Sequence, residues 1–511
     1  MKKQNRRQFI QKAAYLPVLS LAACRTLSDQ STPLESEKPS SRIRRNLWSL
    51  TPRENGLEDY EKAVKILKEL PPSDYRSWIN LAAIHRDSCP HGNSFFLPWH
   101  RAYLDFFEQI CTQVLNKPFA LPYWNWTENS KLHPLFLDSQ SSLYHPRRDL
   151  SHPDESLQTR FQTFVPNAED PWNGYAMEKI QNAPNFINYL GRAKSLANVR
   201  IPDQIRAQRQ AGFGTTEGAV AGSLESGAHN LTHVFVGGDM GDLMSPLDPL
   251  FWVHHSNIDR LWTEWSYKHP GKMLPLNGQE RTYWLNFQLI GLFYGTKLPN
   301  VFETQGPYTV AFTRTVNNML STDRLGYQYD STDHLGPFFV STTEASSKTP
   351  FVLEIETRGL TPQVNKNVIS FSIALSERGF ATIEDMLKRF EGRNYEDASL
   401  SLQAIGLPEP DTKRGMIEFY IDHPSLTPPA LRTSRSPYFV GRVGFFGHST
   451  HDGILSTSLD LAPVITQLRQ IGWQLTREVK LQIVTRGKIE LKAPQFNTTK
   501  LRLEYIEFPR S

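Results

Sequence analysis

The sequence has few cysteines. Its 511 residues include only Cys24, Cys89 and Cys111, which are too few and too widely spaced for a disulfide framework or a zinc ribbon. A membrane span is not evident either, because the apolar run AAYLPVLSLAAC (13–24) is about half the length that crosses a bilayer as a helix. No repeat of solenoid or propeller period is visible. The chain is therefore expected to be globular, with material for about two or three domains.

The sequence also has little net charge, +4 over the whole chain, and that charge is unevenly placed. Residues 1–45 contain ten Lys or Arg against three Asp or Glu, which leaves 46 basic and 49 acidic residues in the rest of the chain. A basic nucleic-acid-binding surface is therefore not expected, and we predict no nucleic-acid partner.

The basic excess belongs to an N-terminal segment that resembles an export signal. A twin arginine, Arg6-Arg7, precedes the apolar run, as in twin-arginine signal peptides. The run ends in LAAC (21–24), which resembles the bacterial lipobox, in which the cysteine is lipidated. We predict a signal peptide at 1–23, a tether at 24–41 and an exported periplasmic or outer-membrane lipoprotein attached through Cys24. A chance arginine pair with an ordinary cleavage site is the alternative.

The spacing of apolar residues changes along the chain. The first half is helical in pattern, as in LEDYEKAVKILKELPP (57–72), which ends in two prolines. Later segments such as VISFSIAL (368–375) and VKLQIVTRG (479–487) alternate as half-buried strands do. Helices followed by strands indicate two domains. The predicted division is a mainly α domain at 42–329, a linker at 330–350 and a β-sandwich-like domain at 351–511.

Histidines cluster in the helical half. His85, His91 and His100 form one group, and HNLTH (229–233) with His254-His255 forms another. On a helix, His229 and His233 would share a face, and His255 can supply a third nitrogen from a separate helix. Two sets of three imidazoles are the kind of site that a helix bundle builds in its core. Imidazoles without carboxylate or thiolate favour copper over zinc, and they argue against a two-zinc hydrolase.

The segments around these histidines resemble the copper signatures of the tyrosinase, catechol oxidase and haemocyanin family. The matching stretches are HGNSFFLPWHRAYLDFFE (91–108) and DPLFWVHHSNID (248–259), and LGYQY (325–329) resembles the tyrosine motif that closes the catalytic domain of polyphenol oxidases. The resemblance implies a four-helix bundle that holds two copper ions and uses dioxygen. It assigns His85, His91 and His100 to one copper and His229, His233 and His255 to the other, which leaves His254 as a neighbour.

The same resemblance implies roles for residues beside the ligands. The spacing of Cys89 and His91 is that of a thioether crosslink in related proteins, with an ordinary buried thiol as the alternative. Glu225 and Asn230 match residues that orient a water and help to deprotonate a phenol. Leu243 and Met244 fall near the side chain that overhangs the copper entrance.

The implied activity is oxidation of o-diphenols to o-quinones by dioxygen, together with ortho-hydroxylation of monophenols, so that the partners are small phenols. The alternatives are a catechol oxidase or o-aminophenol oxidase that lacks the hydroxylation step, and a haemocyanin-like oxygen carrier. The strand-rich part resembles the shielding domain of latent enzymes, whose removal by proteolysis activates them. A permanently docked, stabilising β-sandwich is the alternative for that part.

Overall fold

A computed structural model of the chain describes most of the region that follows the N-terminal segment. The described residues are 42–50, 56–165, 172, 192–193, 216–217, 221–268, 278–294, 304–305, 308–332, 351–355, 363–365, 367–391, 398–408, 415–425, 436–445, 454–487 and 499–507. The predicted signal peptide and tether, with Cys24, lie outside them, as do residues 333–350 of the predicted linker. Residues 41–511 form one unit. Among the described helices, none combines the length and the apolar character that crossing a bilayer requires.

Helices dominate the first part of this unit, as predicted. The first of them buries Leu57, Tyr60, Val64 and Leu67 at helical spacing and ends before Pro71. The helices are α1 (Leu57–Glu69), α2 (Trp78–Ser88), α3 (Phe96–Leu115), α4 (Leu157–Phe164), α5 (Asn230–Val236), α6 (Leu250–Lys268) and α7 (Gly278–Asn286). A π-helical segment, Leu224–His229, leads directly into α5. The predicted mainly α domain is thus confirmed.

A small sheet inside the helical part was not anticipated. Strand β4 (Gln288–Tyr294) pairs antiparallel with β6 (Tyr308–Thr315), which also pairs with β5 (Thr304–Gln305). Two further short strands, β2 (Arg192–Ala193) and β3 (Thr216–Glu217), form a separate antiparallel pair. The run QLIGLFY is short and apolar throughout, and such a run does not distinguish a strand from a buried helix turn by periodicity.

The two ends of the helical part meet in a parallel strand pair. Strand β1 (Arg42–Arg44) lies beside β7 (Tyr327–Tyr329), which belongs to the tyrosine motif. Arg44 is fully buried and makes a bidentate ion pair with Glu108 on α3. This pairing across more than 280 residues closes the helical part on itself.

Asp259 on α6 is the centre of the same buried network. Its carboxylate accepts hydrogen bonds from Arg101 (2.6 Å), Arg44 (3.1 Å), and the hydroxyls of Tyr327 and Tyr329 (2.6 Å each). Burial opposes ionisation of Asp259, but the two guanidinium groups and two hydroxyls outweigh it and lower its pKa below the ordinary value. The acidic residues of the two signatures therefore hold the fold together around the ligand-bearing helices.

The second part is built from two antiparallel sheets that share one apolar core, which confirms the predicted β-sandwich-like fold. The strands are β8 (Phe351–Ile355), β9 (Gln363–Asn365), β10 (Val368–Ala374), β11 (Ala398–Pro408), β12 (Gly415–Ile421), β13 (Phe439–Phe445), β14 (Ile454–Asp460), β15 (Glu478–Gly487) and β16 (Lys500–Glu507). One sheet has the order β13-β12-β15-β10-β9 and the other the order β14-β11-β16-β8. Side chains from both sheets, such as Ile417, Leu481, Leu402 and Leu503, enter the same core. Two helices, α8 (Glu377–Phe390) and α9 (Ala462–Gln470), contribute to this core as well.

Strand β12 of the first sheet is buried on both faces. Ile417 and Phe419 enter the sandwich core, whereas Met416 belongs to the core of the helical part. On the neighbouring strand β13, the Arg442 guanidinium lies 4.8 Å from the ring centroid of Phe161 on α4. The outer face of this sheet is therefore packed against the helical part.

Candidate metal centre

The six histidines predicted as ligands come together in the core of the helical part, and all are buried. His85 lies on α2, His91 on the loop between α2 and α3, and His100 on α3. His229 ends the π-helical segment, His233 lies on α5 and His255 on α6. We call His85, His91 and His100 the first histidine set, and His229, His233 and His255 the second.

In the first set, backbone carbonyls fix which ring nitrogen carries the proton. His100 Nδ1 lies 2.8 Å from the carbonyl oxygen of Phe96, and His85 Nδ1 lies 3.2 Å from that of Leu243. Because a carbonyl oxygen only accepts, each Nδ1 must be protonated, which makes Nε2 the ring nitrogen that can bind a metal. The two Nε2 atoms are 3.4 Å apart. The His91 ring centroid lies 5.3 Å from that of His100, so a third imidazole borders the same space.

In the second set, three Nε2 atoms converge. Those of His229 and His233 each lie 3.3 Å from His255 Nε2. His233 Nδ1 donates to the carbonyl of Met240 (2.6 Å), and His229 Nδ1 donates to the side-chain oxygen of Asn230 (2.8 Å). Their Nε2 atoms are therefore acceptors, and His255 can offer a hydrogen to only one of them. A cation bound by all three nitrogens removes this conflict.

The two sets adjoin. The rings of His100 and His255 lie 4.4 Å apart and are nearly parallel, at 10°. Burial lowers the pKa of His229 to about 3 and holds the pKa values of His100, His233 and His255 well below the ordinary value. The rings are thus neutral at physiological pH, which is the form that binds metal.

His254 lies beside the second histidine set, with one ring nitrogen within 4.8 Å of nitrogens of His229, His233 and His255. Its Nδ1, however, accepts a hydrogen bond from the indole N–H of Trp126 (3.1 Å). Because indole only donates, a neutral His254 must carry its proton on Nε2, where no lone pair remains for a metal. The geometry therefore favours His255 over its neighbour as the ligand.

Part of this chain matches the sequence model of a known protein family. Residues 74–268, which include all six histidines, match the model described as the common central domain of tyrosinase. This part of the chain is a tyrosinase central domain.

Curated proteins similar to this chain include plant polyphenol oxidases. The chloroplastic polyphenol oxidase of Spinacia oleracea is 29% identical over 323 residues, which is 57% of this chain and 47% of the relative. Polyphenol oxidase B of Solanum lycopersicum is 32% identical over 255 residues, 47% of this chain and 39% of the relative. The chloroplastic (+)-larreatricin hydroxylase of Larrea tridentata is 28% identical over 339 residues, 60% of this chain and 52% of the relative. The chain spans about half the length of the curated relatives that it matches.

Solved structures of latent polyphenol oxidases share the fold over almost the whole chain. Latent apple tyrosinase matches with a TM-score of 0.58 at 20% identity, over 92% of this chain and 98% of its own. A latent aurone synthase (polyphenol oxidase) matches with a TM-score of 0.61 at 17% identity, over 95% of this chain and 92% of its own. The likeness confirms a helical domain followed by a β domain.

The structure brings Cys89 to the edge of the His91 ring. Cys89 Sγ lies 3.6 Å from His91 Nδ1, and both residues are buried. The geometry suits the predicted crosslink.

Glu225 and Asn230, the predicted water-orienting pair, are buried beside different ligands. Glu225 Oε1 accepts the backbone N–H of Gly92 (2.8 Å), next to His91. Gly92 has a φ of +69°, a left-handed conformation that favours glycine. Asn230 Oδ1 accepts from His229, and its Nδ2 donates to the carbonyl of Gly444 in β13 (2.9 Å).

The predicted gate residues lie on the loop before the second signature, where Leu243 and Met244 are half-buried. The structure adds a main-chain function for Leu243, since its carbonyl orients His85. Sequence reasoning missed this carbonyl, that of Met240 and the indole of Trp126. A backbone carbonyl leaves no mark in the sequence, because every residue has one. Trp126, however, is the last residue of the aromatic motif LPYWNW (121–126), and such a motif could have indicated a hydrogen-bond donor to a histidine ring.

Proposed function

We propose that the protein is a dicopper oxidase that uses dioxygen to oxidise o-diphenols to o-quinones. The observation that carries this proposal is the pair of adjoining three-imidazole sets, a donor set that favours copper. Oxidation of two diphenols releases four electrons and four protons, which reduce one dioxygen to two waters. Copper bound by the two histidine sets would supply the electron transfer between phenol and dioxygen.

We further propose that monophenols are hydroxylated as well. A phenol has a pKa near 10, so it needs a base before it can bind a metal as phenolate. Glu225 and Asn230 supply a buried carboxylate and amide beside His91 and His229. The names of the relatives include both a hydroxylase and a catechol oxidase. A catechol oxidase or an o-aminophenol oxidase is therefore the second candidate.

Oxygen uptake with a catechol, the matching monophenol and an o-aminophenol tests the proposal. We expect uptake with catechol and, after a lag, with the monophenol. Uptake with catechol alone would contradict the hydroxylation step, and uptake confined to the o-aminophenol would indicate the second candidate. Reversible oxygen binding without turnover of any substrate would indicate a carrier and contradict the proposed oxidase.

The β domain is proposed to limit access to the site. In support, β13 lies against Asn230, and Ala221 forms a bridge with Thr457 of β14. Proteolysis within the predicted linker, residues 330–350, should then raise the rate of catechol oxidation. An unchanged rate after complete cleavage would indicate a permanently docked, stabilising domain.

We propose that Cys89 and His91 are joined by a thioether from Sγ to an imidazole carbon, in support of which the Cys89 Sγ lies 3.6 Å from the His91 ring nitrogen Nδ1. The bond replaces one S–H and one C–H, and the two electrons and two protons would reduce one dioxygen to hydrogen peroxide, with copper held by the first histidine set supplying the electron transfer. The copper-loaded protein should therefore be lighter than the unlinked chain by two hydrogen atoms, and the loss should map to a peptide with both residues. Cys89→Ser should abolish it. An unlinked thiol, or a mass gain from sulfur oxidation, would contradict the crosslink.

We also propose export and lipidation at Cys24, in support of which the sequence offers the twin arginine and LAAC (21–24). A Cys24→Ser variant should lose its association with membranes on cell fractionation, because a diacylated cysteine anchors the chain. Equal membrane association of the variant and the unchanged protein would contradict this.

A further inference from the structure

One backbone carbonyl of the β domain is linked to the second histidine set through a single side chain. Gly444, in β13, accepts a hydrogen bond of 2.9 Å from the side-chain amide of Asn230. The oxygen of the same amide lies 2.8 Å from His229 Nδ1. Asn230 and His229 are both completely buried. The chain of contacts thus runs from a β-domain carbonyl through an asparagine to a candidate metal ligand.

The chemistry of these groups permits only one orientation of the amide. The Gly444 carbonyl can only accept, so the NH2 of Asn230 must point toward it. The amide oxygen then faces His229 and accepts its Nδ1–H. A reversed amide would place two oxygen acceptors against each other and an NH2 against the ring N–H. The Gly444 carbonyl therefore determines which nitrogen of His229 keeps its lone pair, and that nitrogen is Nε2.

The close approach of β13 depends on glycine at this position. A Cβ on Gly444 would lie 3.2 Å from the backbone carbon and the Cβ of Asn230, and 3.2 Å from the backbone nitrogen of Leu231. These are tighter than ordinary van der Waals contacts, and two of the three atoms are backbone. Any larger residue would push the strand away from α5 and lengthen the hydrogen bond to Asn230.

A second contact fixes the β domain at the other end of the π-helical segment. Ala221 donates its N–H to the carbonyl of Ser456 and accepts from the N–H of Ser458, both at 3.0 Å. The segment that carries Glu225 and ends at His229 is therefore held by the β domain on both sides. Such π-helical turns are frequent at functional sites, and this one has external backbone support.

We propose that the β domain is a positioning element of the second metal centre, acting through the Gly444 carbonyl on Asn230 and through Asn230 on His229. The inference rests on the proposed function only in that the second histidine set binds copper. It differs from a shielding role, because a shield changes access to the site, whereas this contact changes how tightly one of the two metals is held.

Copper affinity in the full-length protein tests the proposal. Apo-protein is titrated with Cu⁺ in competition with a chromogenic chelator, for the unchanged chain and for Gly444→Ala. Loss of an outer hydrogen-bond partner of a metal-bound histidine typically weakens metal binding 10–100-fold. We expect one of the two coppers to bind about tenfold more weakly, with the other unchanged. The visible spectrum of the Co²⁺-loaded variant should change as well, since it reports ligand geometry.

Gly441→Ala in the same strand is the matched control. Its added Cβ meets only the end of the Leu459 side chain, at 3.0 Å, which can move. The control should keep both copper affinities and the cobalt spectrum. A folded Gly444→Ala with unchanged affinities, or with both coppers weakened equally, would overturn the proposal.

Asn230→Ala covers the case in which Gly444→Ala does not fold, because it removes the amide without adding a clash. It should show the same weakening of a single copper, and unchanged affinities would overturn the proposal. An unchanged chain that binds fewer than two coppers would contradict the proposed function itself. That result is distinct, because it is obtained before any variant is compared.

Discussion

His255→Ala should remove one of the two coppers and abolish catechol oxidation, whereas His254→Ala should keep both coppers. The Nε2 of His255 lies 3.3 Å from those of His229 and His233. The Nδ1 of His254 accepts from Trp126, so its Nε2 carries a proton. A catalytic metal supplies several kcal/mol of stabilisation, and each 1.4 kcal/mol is a factor of ten. The loss of activity in His255→Ala should thus exceed about a thousandfold.

Metal analysis together with oxygen uptake measures this difference. His254→Ala should lose stability, because the buried Trp126 N–H then lacks an acceptor, at a cost of about 1–3 kcal/mol. His254→Gln, which can offer an acceptor oxygen, is the milder control. Loss of copper in His254→Ala combined with full copper in His255→Ala would reverse the ligand assignment.

Asp259→Ala should destabilise the whole helical part. Asp259 is buried between Arg101 and Arg44, and the hydroxyls of Tyr327 and Tyr329 also donate to it. Its removal leaves buried guanidinium charge without this partner, which typically costs about 3–5 kcal/mol. That is a large share of the roughly 5–15 kcal/mol by which a native protein is stable. Urea unfolding of the apo-protein measures the change.

Asp385→Ala is the matched control for this loss. Asp385 pairs with Arg389 on α8, but both side chains are more than half exposed, and such pairs are worth under about 1 kcal/mol. The two variants should therefore differ several-fold in their loss of stability, and equal losses would contradict a structural role for the buried network.

The stabilisation by Asp259 should also depend on pH. The pKa of Asp259 is lower in the folded chain than its ordinary value of 3.8. A depressed carboxyl pKa stabilises the fold above the unfolded-state pKa, and the effect is lost as the pH falls through the folded-state pKa. The contribution is therefore complete at neutral pH and disappears only in acid below the ordinary carboxyl range.

The helices and strands that sequence periodicity predicts are those with a clear apolar stripe. The helix Leu57–Glu69 lies within the predicted segment 57–72, and the strands Val368–Ala374 and Glu478–Gly487 lie close to their predicted segments. Helix Glu377–Phe390 also has such a stripe, since Ile383, Leu387 and Phe390 are buried, but neither it nor strand Ala398–Pro408 lies among the predicted segments. Periodicity identifies which residues face a core, but it does not show where each helix or strand begins and ends.

In the candidate site, the sequence predicts the ligands but not the groups that orient them. Four-residue spacing placed His229 and His233 on one face, and the structure brings both to His255. The groups that orient them are the carbonyl of Met240, the side chain of Asn230 and the carbonyl of Gly444. Every residue has a backbone carbonyl, so the sequence does not indicate which carbonyl will orient a histidine. Gly444 lies 214 residues from Asn230, and only the docking of the β domain brings the two together.

Anomalous X-ray diffraction from copper-loaded crystals, measured on both sides of the copper absorption edge, tests the central claim most directly. The account predicts two copper peaks in each chain, one bordered by His85, His91 and His100 and the other by His229, His233 and His255. A single peak, or a peak bound by His254 in place of His255, would contradict it.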